Sequence, residues 1–197
     1  MKLVIASKNP DKAEELRSLL SELSVTVVPL SEFPHAPHIT EDGETFEENA
    51  ALKAVGIARF TGLHAVADDS GLCVDALEGR PGIYSARYAG RGATGRDLCR
   101  KLLREMRSVK DEYRTARFKC SIVMSDPEGN AELKAEGKCN GTITRQMRGS
   151  GGFGYDPVFL YPPAGKTFAQ MKPHEKHRHS HRGEAMRSFR KKLKESL

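Results

Sequence analysis

The stretch Val66-Ala67-Asp68-Asp69-Ser70-Gly71-Leu72 places two adjacent carboxylates between two short apolar runs. The run from His64 to Ala67 predicts a buried strand that ends at the carboxylates, and side chains at a strand end can be aimed accurately. Two neighbouring carboxylates repel each other unless a cation or a proton lies between them. A divalent ion with oxygen ligands would serve, and magnesium usually arrives bound to phosphates. A solvated Asp-Asp turn accounts equally well for these residues taken alone.

The N-terminal segment has the pattern of a strand that leads into a helix. Residues 2 to 6 form a short apolar run, and residues 11 to 23 carry an apolar stripe at helical spacing. The polar turn of residues 7 to 12 would leave backbone N–H groups at the helix start, where the helix dipole favours an anion. Ser7 and Asn9 would add hydrogen-bond donors, and Lys12 a positive charge. An ordinary capped helix explains the same residues.

Residues 41 to 49 are rich in acidic side chains and precede a second predicted helix. Thr45 is placed as its N-cap, and acidic residues suit a first helical turn, which accounts for Glu47 and Glu48. Glu41 lies before this turn and is not explained in that way. The helix should run to about residue 60, and Lys53 should lie on its surface one turn after Asn49.

The glycine-rich segment at residues 149 to 154 matches the G-x-G-x-x-G pattern of dinucleotide-binding proteins. That pattern requires a helix after the glycines, whereas residues 155 to 161 have the character of a strand, so the match is rejected. The segment would instead present Phe153, Tyr155 and Asp156 on a loop. An aromatic ring there could stack on a flat ligand, and a carboxylate could accept a ring N–H. A structural loop with one core aromatic fits equally well.

The remaining elements are predicted from apolar periodicity. Strands are expected over residues 25 to 28, 115 to 125 and 131 to 139. Helices are expected over residues 94 to 106, where Thr94 and Asp97 resemble a capping box, and from about residue 184, the last with Met186, Phe189 and Leu193 buried. No run approaches the roughly 18 apolar residues of a membrane span. The four cysteines are scattered and are interpreted as reduced packing residues of a cytosolic protein.

The net charge of +6 belongs to the C-terminal part, because residues 172 to 197 hold nine Lys or Arg and three acids, while the rest is balanced. This charge could serve nucleic-acid binding, a pocket for a small polyanion, or only a solvated helix face. The four histidines between residues 174 and 181 have no cysteine or acidic companion at ligand spacing except Glu175, which disfavours a transition-metal site. A basic turn at a helix start, residues 180 to 183, suits phosphate or the acceptor edge of a base.

Taken in order, these motifs resemble the inosine triphosphate pyrophosphatase family, whose members hydrolyse non-standard purine nucleoside triphosphates. The motifs are Ser7-x-Asn9-x-x-Lys12, Glu41-x-Gly43-x-Thr45-Phe46-x-Glu48-Asn49-Ala50, Ala67-Asp68-Asp69-Ser70-Gly71-Leu72, Pro81-Gly82-Ile83-Tyr84-Ser85-Ala86-Arg87, Gly151-Gly152-Phe153-Gly154-Tyr155-Asp156-Pro157, Glu175-Lys176 and Ser180-His181-Arg182-Gly183. Each is weak alone, but their order along nearly the whole chain is specific. His177 and His179 depart from the family, which more often has a small polar and an aliphatic residue there.

The resemblance implies an α/β fold in which a long twisted mixed β-sheet with flanking helices forms two lobes around a nucleotide cleft. Residues 1–197 would be a single domain made of these two lobes. It also implies a cytoplasmic homodimer that requires Mg²⁺, with Mn²⁺ as a substitute. The expected reaction is hydrolysis of ITP, dITP and XTP to the monophosphate and pyrophosphate.

The resemblance also implies roles for individual residues. Asp69 would be the base, and Glu41, Asp68 and Asp69 would serve the metal. Phe153 would stack on the purine. The other substrate contacts would be Ser7, Lys8, Asn9, Pro10, Asp11, Lys12, Lys53, Ser70, Gly154, Tyr155, Asp156, Lys176, His181 and Arg182. A triphosphate with about four negative charges calls for Lys12, Lys53, Lys176 and a divalent ion together.

Two other functions remain as alternatives. A nucleic-acid-binding module would use the basic C-terminal helix, but it leaves Glu41, Asp68 and Asp69 without a role. A nucleotide sensor would bind the triphosphate and release no pyrophosphate. The expected partners are therefore a purine nucleoside triphosphate and a second copy of the chain, with neither nucleic acid nor membrane.

Overall fold

The computed structural model describes residues 1–7 and 9–197, with residues 10 and 11 described only by their place in a helix. The elements among the described residues are β1 (Lys2–Ile5), α1 (Pro10–Leu20), β2 (Thr26–Pro29), α2 (Phe46–Thr61), β3 (His64–Val74), α3 (Gly95–Glu105), β4 (Thr115–Ser125), β5 (Ala131–Ile143), β6 (Phe159–Tyr161), β7 (Lys166–Thr167), α4 (Pro173–His179) and α5 (His181–Ser196). Most predicted elements are confirmed, with ends that differ by a few residues. None of the described helices is both long and apolar enough to cross a membrane.

The strands form one mixed sheet in the order β2-β1-β3-β4-β5-β6-β7. β1 is parallel to both β2 and β3, whereas β6 is antiparallel to β5 and β7. The expected α/β fold with a mixed sheet and flanking helices is confirmed. The parallel part is built from strands joined by α1 and α2, as crossover connections require.

β3 differs from the prediction, because it does not end at the carboxylates. It continues through Asp68 and Asp69 as one strand of 11 residues, so the prediction that they end a strand was wrong. The strand that ends here is its neighbour: β1 stops at Ile5, which pairs with Val66. The carboxylates therefore follow the carboxyl end of the parallel pair, which is where ligands bind in open α/β sheets.

Successive residues of β1 pack on opposite faces of the sheet. Leu3 and Ile5 lie in a cluster formed with α1 and α5, whereas Val4 lies in a cluster formed with α2. β3 follows the same rule, with Val66 in the first cluster and Ala65 in the second. Because strand side chains alternate, α1 and α5 cover one face here and α2 covers the other.

Two helix starts have the predicted caps. The Thr45 hydroxyl accepts the Glu48 N–H at 3.1 Å, and α2 ends at Gly62 in the left-handed region with φ 66°. α3 begins with the predicted capping box, in which Thr94 and Asp97 each accept a backbone N–H from the other. The C-terminal helix α5 also buries Met186, Phe189 and Leu193 as expected. Capping and apolar spacing therefore located these helices correctly.

The described chain divides into two compact units. The first unit comprises residues 1–69, 120–137 and 184–197, and the second comprises residues 70–119 and 138–183. Each has its own apolar core, the second formed by Leu72, Leu102, Phe118, Phe159 and Phe168 among others. That the whole chain is one domain with two lobes stays a prediction.

Two smaller expectations had different outcomes. All four cysteines are free and buried, which confirms them as packing residues. The strand expected over residues 155 to 161 is limited to β6, because residues 154 to 158 form turns. No helix follows the glycine run, so the rejection of a dinucleotide fingerprint is confirmed.

Candidate active site

The first unit contains a polar pocket next to the carboxyl end of β1. The pocket has a volume of about 290 Å³. Its lining combines lysines, carboxylates and the chain that leaves β1: Ala6, Ser7, Lys12, Leu30, Pro37, His38, Ile39, Glu41, Lys53, Ile57 and Asp68. Five of these residues, Ser7, Lys12, Glu41, Lys53 and Asp68, were predicted as site residues.

Asp68 is held by a lysine from α1. The Lys12 ammonium donates to both carboxylate oxygens of Asp68, at 2.9 and 2.8 Å. The Asp68 side chain is only 7% exposed, so its charge needs such a partner. The lysine side chain is more open at 29%, which leaves the ammonium able to reach a second anion in the pocket.

Asp69 is near a different lysine, which comes from α2. The Lys53 ammonium donates to Glu41 Oε2 at 2.7 Å and lies 3.7 Å from Asp69 Oδ1. Two carboxylates thus face one cationic position. Coulomb attraction at these distances is strong because the site is partly shielded from water.

The separate lysine partners follow from strand geometry. Asp68 and Asp69 are consecutive in β3, so their side chains leave the strand on opposite faces. Asp68 meets Lys12 of α1, and Asp69 meets Lys53 of α2, in agreement with the faces that these helices cover. The two carboxylates thus have separate lysine partners because the strand continues through them, and that both serve one metal ion stays a prediction.

Glycines hold the segment that carries Glu41 against α2. A Cβ on Gly43 would lie 2.7 Å from Glu48 Cβ, and its N–H donates to Asn49 Oδ1 at 2.9 Å. A Cβ on Gly56 would lie 2.5 Å from Ile39 Cδ1. Asn49, predicted on the same helix face as Lys53, is buried and anchors this segment. A side chain at Gly43 would therefore clash with the start of α2, and one at Gly56 would require the Ile39 side chain to move.

In the part of the chain that the structure describes, no group of three His, Cys, Asp or Glu side chains is arranged to hold a metal ion. The three predicted metal residues are divided between the two lysines, Asp68 on Lys12 and the pair Glu41 and Asp69 on Lys53. The position of the Lys53 ammonium nevertheless shows that Glu41 and Asp69 can face a common cation. Magnesium commonly uses one or two carboxylates and takes its other ligands from water and phosphate, so these two oxygen donors fit it.

The second unit contains a more apolar pocket of about 270 Å³. Its walls are formed by aromatic rings, glycine backbone and a few polar groups: Ser70, Gly71, Ser85, Ala86, Gly95, Leu98, Phe118, Phe153, Gly154, Tyr155, Asp156, Lys176 and His181. An apolar cavity with a few convergent polar groups is typical of sites for small organic ligands.

Phe153 and Lys176 form the open side of this pocket. The Phe153 ring is exposed, with 76% of the residue accessible, and the Lys176 ammonium lies 4.3 Å from its centroid. The ring face is therefore accessible to a ligand. A cation over the ring face is favourable, and a flat heteroaromatic ligand could use the same ring by stacking.

The Asp156 carboxylate contacts both Phe153 and Lys176. Its Oδ2 accepts from the Phe153 N–H at 2.7 Å and from the Lys176 ammonium at 2.5 Å, and its side chain is 3% exposed. Burial raises the pKa of Asp156, and the charge of Lys176 opposes that rise. A Cβ on Gly152 would lie 2.0 Å from the same oxygen, so the loop can close on Asp156 only with glycine there. The Asp156 carboxylate thus positions Phe153 and Lys176, and its contact with a ligand stays a prediction.

The remaining predicted residues lie at helix starts or in the pocket wall. His181 stacks on Phe118 with centroids 4.6 Å apart, and Arg182 follows it in the first turn of α5. The Ser180 hydroxyl caps this turn by accepting the Gly183 N–H at 3.1 Å. Asn9 is exposed and donates its N–H to Ser7 Oγ at 3.2 Å. Lys8 lies outside the described residues, as do the side chains of Pro10 and Asp11.

Several residues of the second pocket were not identified from the sequence. Ser85 accepts the Leu72 N–H at 2.9 Å, and its carbonyl accepts from Tyr155 Oη at 2.9 Å, which ties the loop after β3 to the pocket wall. Burial raises the pKa of the Tyr155 hydroxyl, so it remains a donor. Phe118 was counted only as part of a strand. These roles depend on long-range contacts, which no local pattern signals.

Comparison with known proteins places the chain in a family. The model of the Ham1 family matches residues 3–192. A relative from Thermus thermophilus named dITP/XTP pyrophosphatase is 52% identical over 190 residues, which cover 96% of this chain and 90% of that protein. A relative of the same name from Desulforamulus reducens is 47% identical over 187 residues, covering 95% and 92%. A solved HAM1 protein from Coxiella burnetii has a TM-score of 0.94 at 41% identity, over 99% of each chain. These matches confirm the resemblance inferred from the motifs, and this chain belongs to the Ham1 family.

Proposed function

We propose that this chain hydrolyses non-standard purine nucleoside triphosphates, ITP, dITP and XTP, to the nucleoside monophosphate and pyrophosphate. The observation that carries the proposal is the first pocket, which two lysines and two carboxylates line beside the end of a parallel strand pair, with a third carboxylate, Asp69, 3.7 Å from one of the lysines. Relatives that are about half identical over nearly the whole chain are named dITP/XTP pyrophosphatase. The alternative of a nucleic-acid-binding module is not favoured, and it gives these carboxylates no role.

The phosphates would bind to the ammonium groups of Lys12 and Lys53. Lys12 and Lys53 already have carboxylate partners, so a triphosphate would offer them further oxygens in the same pocket. Charge-assisted hydrogen bonds to phosphate are short and strong, and they replace solvent contacts of the lysines. Ser7, at the end of β1, adds a hydroxyl to the same pocket.

Glu41 and Asp69 would hold the divalent ion, Mg²⁺ or Mn²⁺, since both carboxylates lie near the Lys53 ammonium and can therefore face one cation. When bound, the ion neutralises phosphate charge and favours departure of pyrophosphate. Both carboxylates offer only oxygen atoms as ligands, and oxygen ligands are the kind that these hard ions prefer. Asp68 would instead keep Lys12 oriented toward the phosphates.

Asp69 would be the base that accepts a proton from the attacking water. It leaves β3 on the α2 face, where the strand backbone and Lys53 restrict its orientation. A general base must lie within hydrogen-bond reach of the water whose proton it takes. The water oxygen that loses the proton would attack the α-phosphorus, the bond from that phosphorus to the bridging oxygen would break, and pyrophosphate would leave. The lysines would stabilise charge on the phosphoryl oxygens.

The purine base would occupy the second pocket, stacked on Phe153. A base of the inosine or xanthine type carries an acceptor at its 6-position, which suits donors from Lys176, His181 or Arg182. Adenine presents a donor at that position and would meet the same groups unfavourably. A site built around one polar group can reject the wrong one by about 10⁴-fold. ATP should therefore be a poor substrate.

We further propose a cytoplasmic homodimer. The four buried free thiols are consistent with a reducing compartment. The dimer rests on the family resemblance, and sedimentation equilibrium of the purified chain would test it. A monomer at all concentrations used for activity would exclude the dimer without affecting the proposed reaction.

Product analysis tests the proposed reaction most directly. Purified chain, Mg²⁺ and a panel of ITP, dITP, XTP, GTP and ATP should give monophosphate and pyrophosphate, with kcat/KM at least about 10²-fold lower for ATP and GTP. Omission of the divalent ion should abolish turnover. Stepwise release of orthophosphate through the diphosphate would contradict attack at the α-phosphorus. Binding of ITP without any product would favour a nucleotide sensor.

A further inference from the structure

The start of α3 packs directly on the backbone of the loop that presents Phe153. A Cβ on Gly95, the first residue of α3, would lie 3.0 Å from Gly154 N and 3.2 Å from Gly154 O. Gly154 itself adopts the left-handed region with φ 57°. The helix therefore approaches Gly154 so closely that a side chain at Gly95 would require the loop backbone to shift by a few tenths of an ångström.

One turn later, the Cys99 thiol contacts the same residue. Cys99 is fully buried, and its Sγ donates to Gly154 O at 3.3 Å. Burial, and to a lesser extent the charge of Asp156, raises the pKa of Cys99 to about 11. The group is thus a protonated thiol at neutral pH and can act as the donor. Cys139 is also buried in the same core, with 4% of the residue exposed, and its Sγ lies 3.9 Å from the carbonyl oxygen of its neighbour Asn140 in β5.

The Phe153 backbone is therefore fixed on both sides. Asp156 accepts the N–H of Phe153 itself, and α3 holds the following residue through Gly95 and Cys99. Between these anchors the ring has no burial of its own to fix it, since it is largely exposed. Its orientation therefore depends on the backbone and on the Lys176 ammonium that lies over the ring.

We propose that Gly95 and Cys99 of α3 are positioning residues that fix the Phe153 loop for base stacking, and thereby set the affinity for the nucleotide base. The proposal rests on the proposed function, because it takes the second pocket as the base site. Neither residue touches the phosphates or the reacting atoms in this account. Their loss should therefore weaken ligands that contain a base and spare ligands that do not.

Inosine monophosphate and pyrophosphate separate these effects, because the first carries a base and the second carries none. Calorimetric binding of both would be measured for wild type, Cys99→Ala, Cys99→Ser, Gly95→Ala and the matched control Cys139→Ala. One net hydrogen bond corresponds to a change of about threefold to tenfold, so Cys99→Ala should weaken inosine monophosphate by that factor. Cys99→Ser keeps a donor and should recover most of the affinity. Gly95→Ala should weaken it at least as much as Cys99→Ala, while pyrophosphate affinity stays unchanged in all variants.

Equal losses for Cys99→Ala and Cys139→Ala would overturn the proposal, since any buried cysteine would then have the same effect. A parallel loss of pyrophosphate affinity would also overturn it, because that outcome indicates general damage. Steady-state kinetics add a second readout: KM for ITP should rise while kcat stays near the wild-type value. A wild-type chain that binds inosine monophosphate but does not turn over ITP would refute the proposed function and leave this inference standing.

Discussion

The two pockets differ in what holds their functional groups in place. In the first, the two lysines and the two consecutive aspartates lie on helices and a strand, and Glu41 lies on a segment packed against α2. In the second, the ligand-facing ring lies on a glycine loop whose backbone is held by hydrogen bonds with Asp156 and Cys99. Rigid elements suit groups that act on reacting atoms, whereas loops suit groups that select a ligand.

This difference predicts that the pockets fail in different ways. Changes in the first pocket should reduce the rate or the phosphate affinity, because its charges act on phosphate. Changes in the second should reduce the affinity for the base and leave the chemistry intact. Each experiment below separates rate from affinity, or one part of the ligand from the other.

The largest effect is expected from Asp69→Asn. The variant keeps the shape of the side chain but loses the base and one metal charge, so kcat should fall by at least about 10²-fold. Steady-state kinetics with ITP would measure this change. Asp42→Asn, which alters an exposed carboxylate next to Glu41, provides the matched control and should keep the wild-type rate. Near-normal turnover by Asp69→Asn would remove Asp69 from the role of base.

The next largest effect is expected in the affinities for the base and for the phosphates, which variants of the two pockets should change separately. Phe153→Ala removes a base-stacking contact and should weaken inosine monophosphate by about tenfold to a hundredfold while sparing pyrophosphate. Phe153→Tyr keeps a ring and should retain most of the affinity.

Lys12→Ala should weaken pyrophosphate by about tenfold or more and have a smaller effect on base stacking, since hydrogen bonds to charged groups are stronger than those between neutral groups.

Lys12→Ala also leaves Asp68 buried without its lysine, so it should lower the free energy of unfolding. The double variant Lys12→Ala with Asp68→Asn should recover part of that stability without recovering pyrophosphate affinity. Thermal unfolding and calorimetry measure the two quantities separately. Equal losses for both ligands in both Phe153→Ala and Lys12→Ala would abolish the distinction between the pockets.

The sequence predicted the first pocket well because local patterns report on it. A polar turn after a strand, a capped helix and an acidic pair beside a buried run each leave a visible signature. What the sequence did not show was that β1, and not β3, ends at this point. Asp68 and Asp69 were therefore interpreted as sharing one cation, whereas alternation in the longer strand gives each its own lysine.

The second pocket was predicted less completely for a physical reason. Phe153 and Asp156 were identified because an aromatic ring and an acid in a glycine run are conspicuous. Cys99 and Gly95 lie more than 50 residues before Gly154 and look like ordinary helix residues, yet they restrain that loop. Contacts of this kind depend on which backbone another element approaches, and no periodicity or composition encodes that distance.

The smallest expected effect concerns Asp97. It stabilises the start of α3, the helix that contacts Gly154 of the second pocket. Asp97 Oδ2 accepts from the Thr94 hydroxyl at 2.6 Å and from the Thr94 N–H at 3.0 Å, and these hydrogen bonds lower the pKa of Asp97. A carboxyl whose pKa is lower in the folded chain adds stability above its ordinary pKa, near 3.8, and loses that contribution as the pH falls through the depressed value. Asp97→Asn should therefore lower Tm by about 1–2 °C at neutral pH, and the difference from wild type should vanish in acid.

Thermal unfolding of wild type, Asp97→Asn and the control Asp42→Asn between pH 7 and about pH 3 would measure this difference. If the start of α3 positions the Phe153 loop, Asp97→Asn should also weaken inosine monophosphate slightly at neutral pH, because a less firmly held first turn restrains Gly154 less well. Pyrophosphate affinity should not change, since Lys12 and Lys53 are anchored on other helices. A Tm difference that stays constant with pH would show that the Asp97 charge does not stabilise the helix start. A loss of affinity confined to pyrophosphate would show that α3 affects the first pocket, which would contradict the proposed difference between the two pockets.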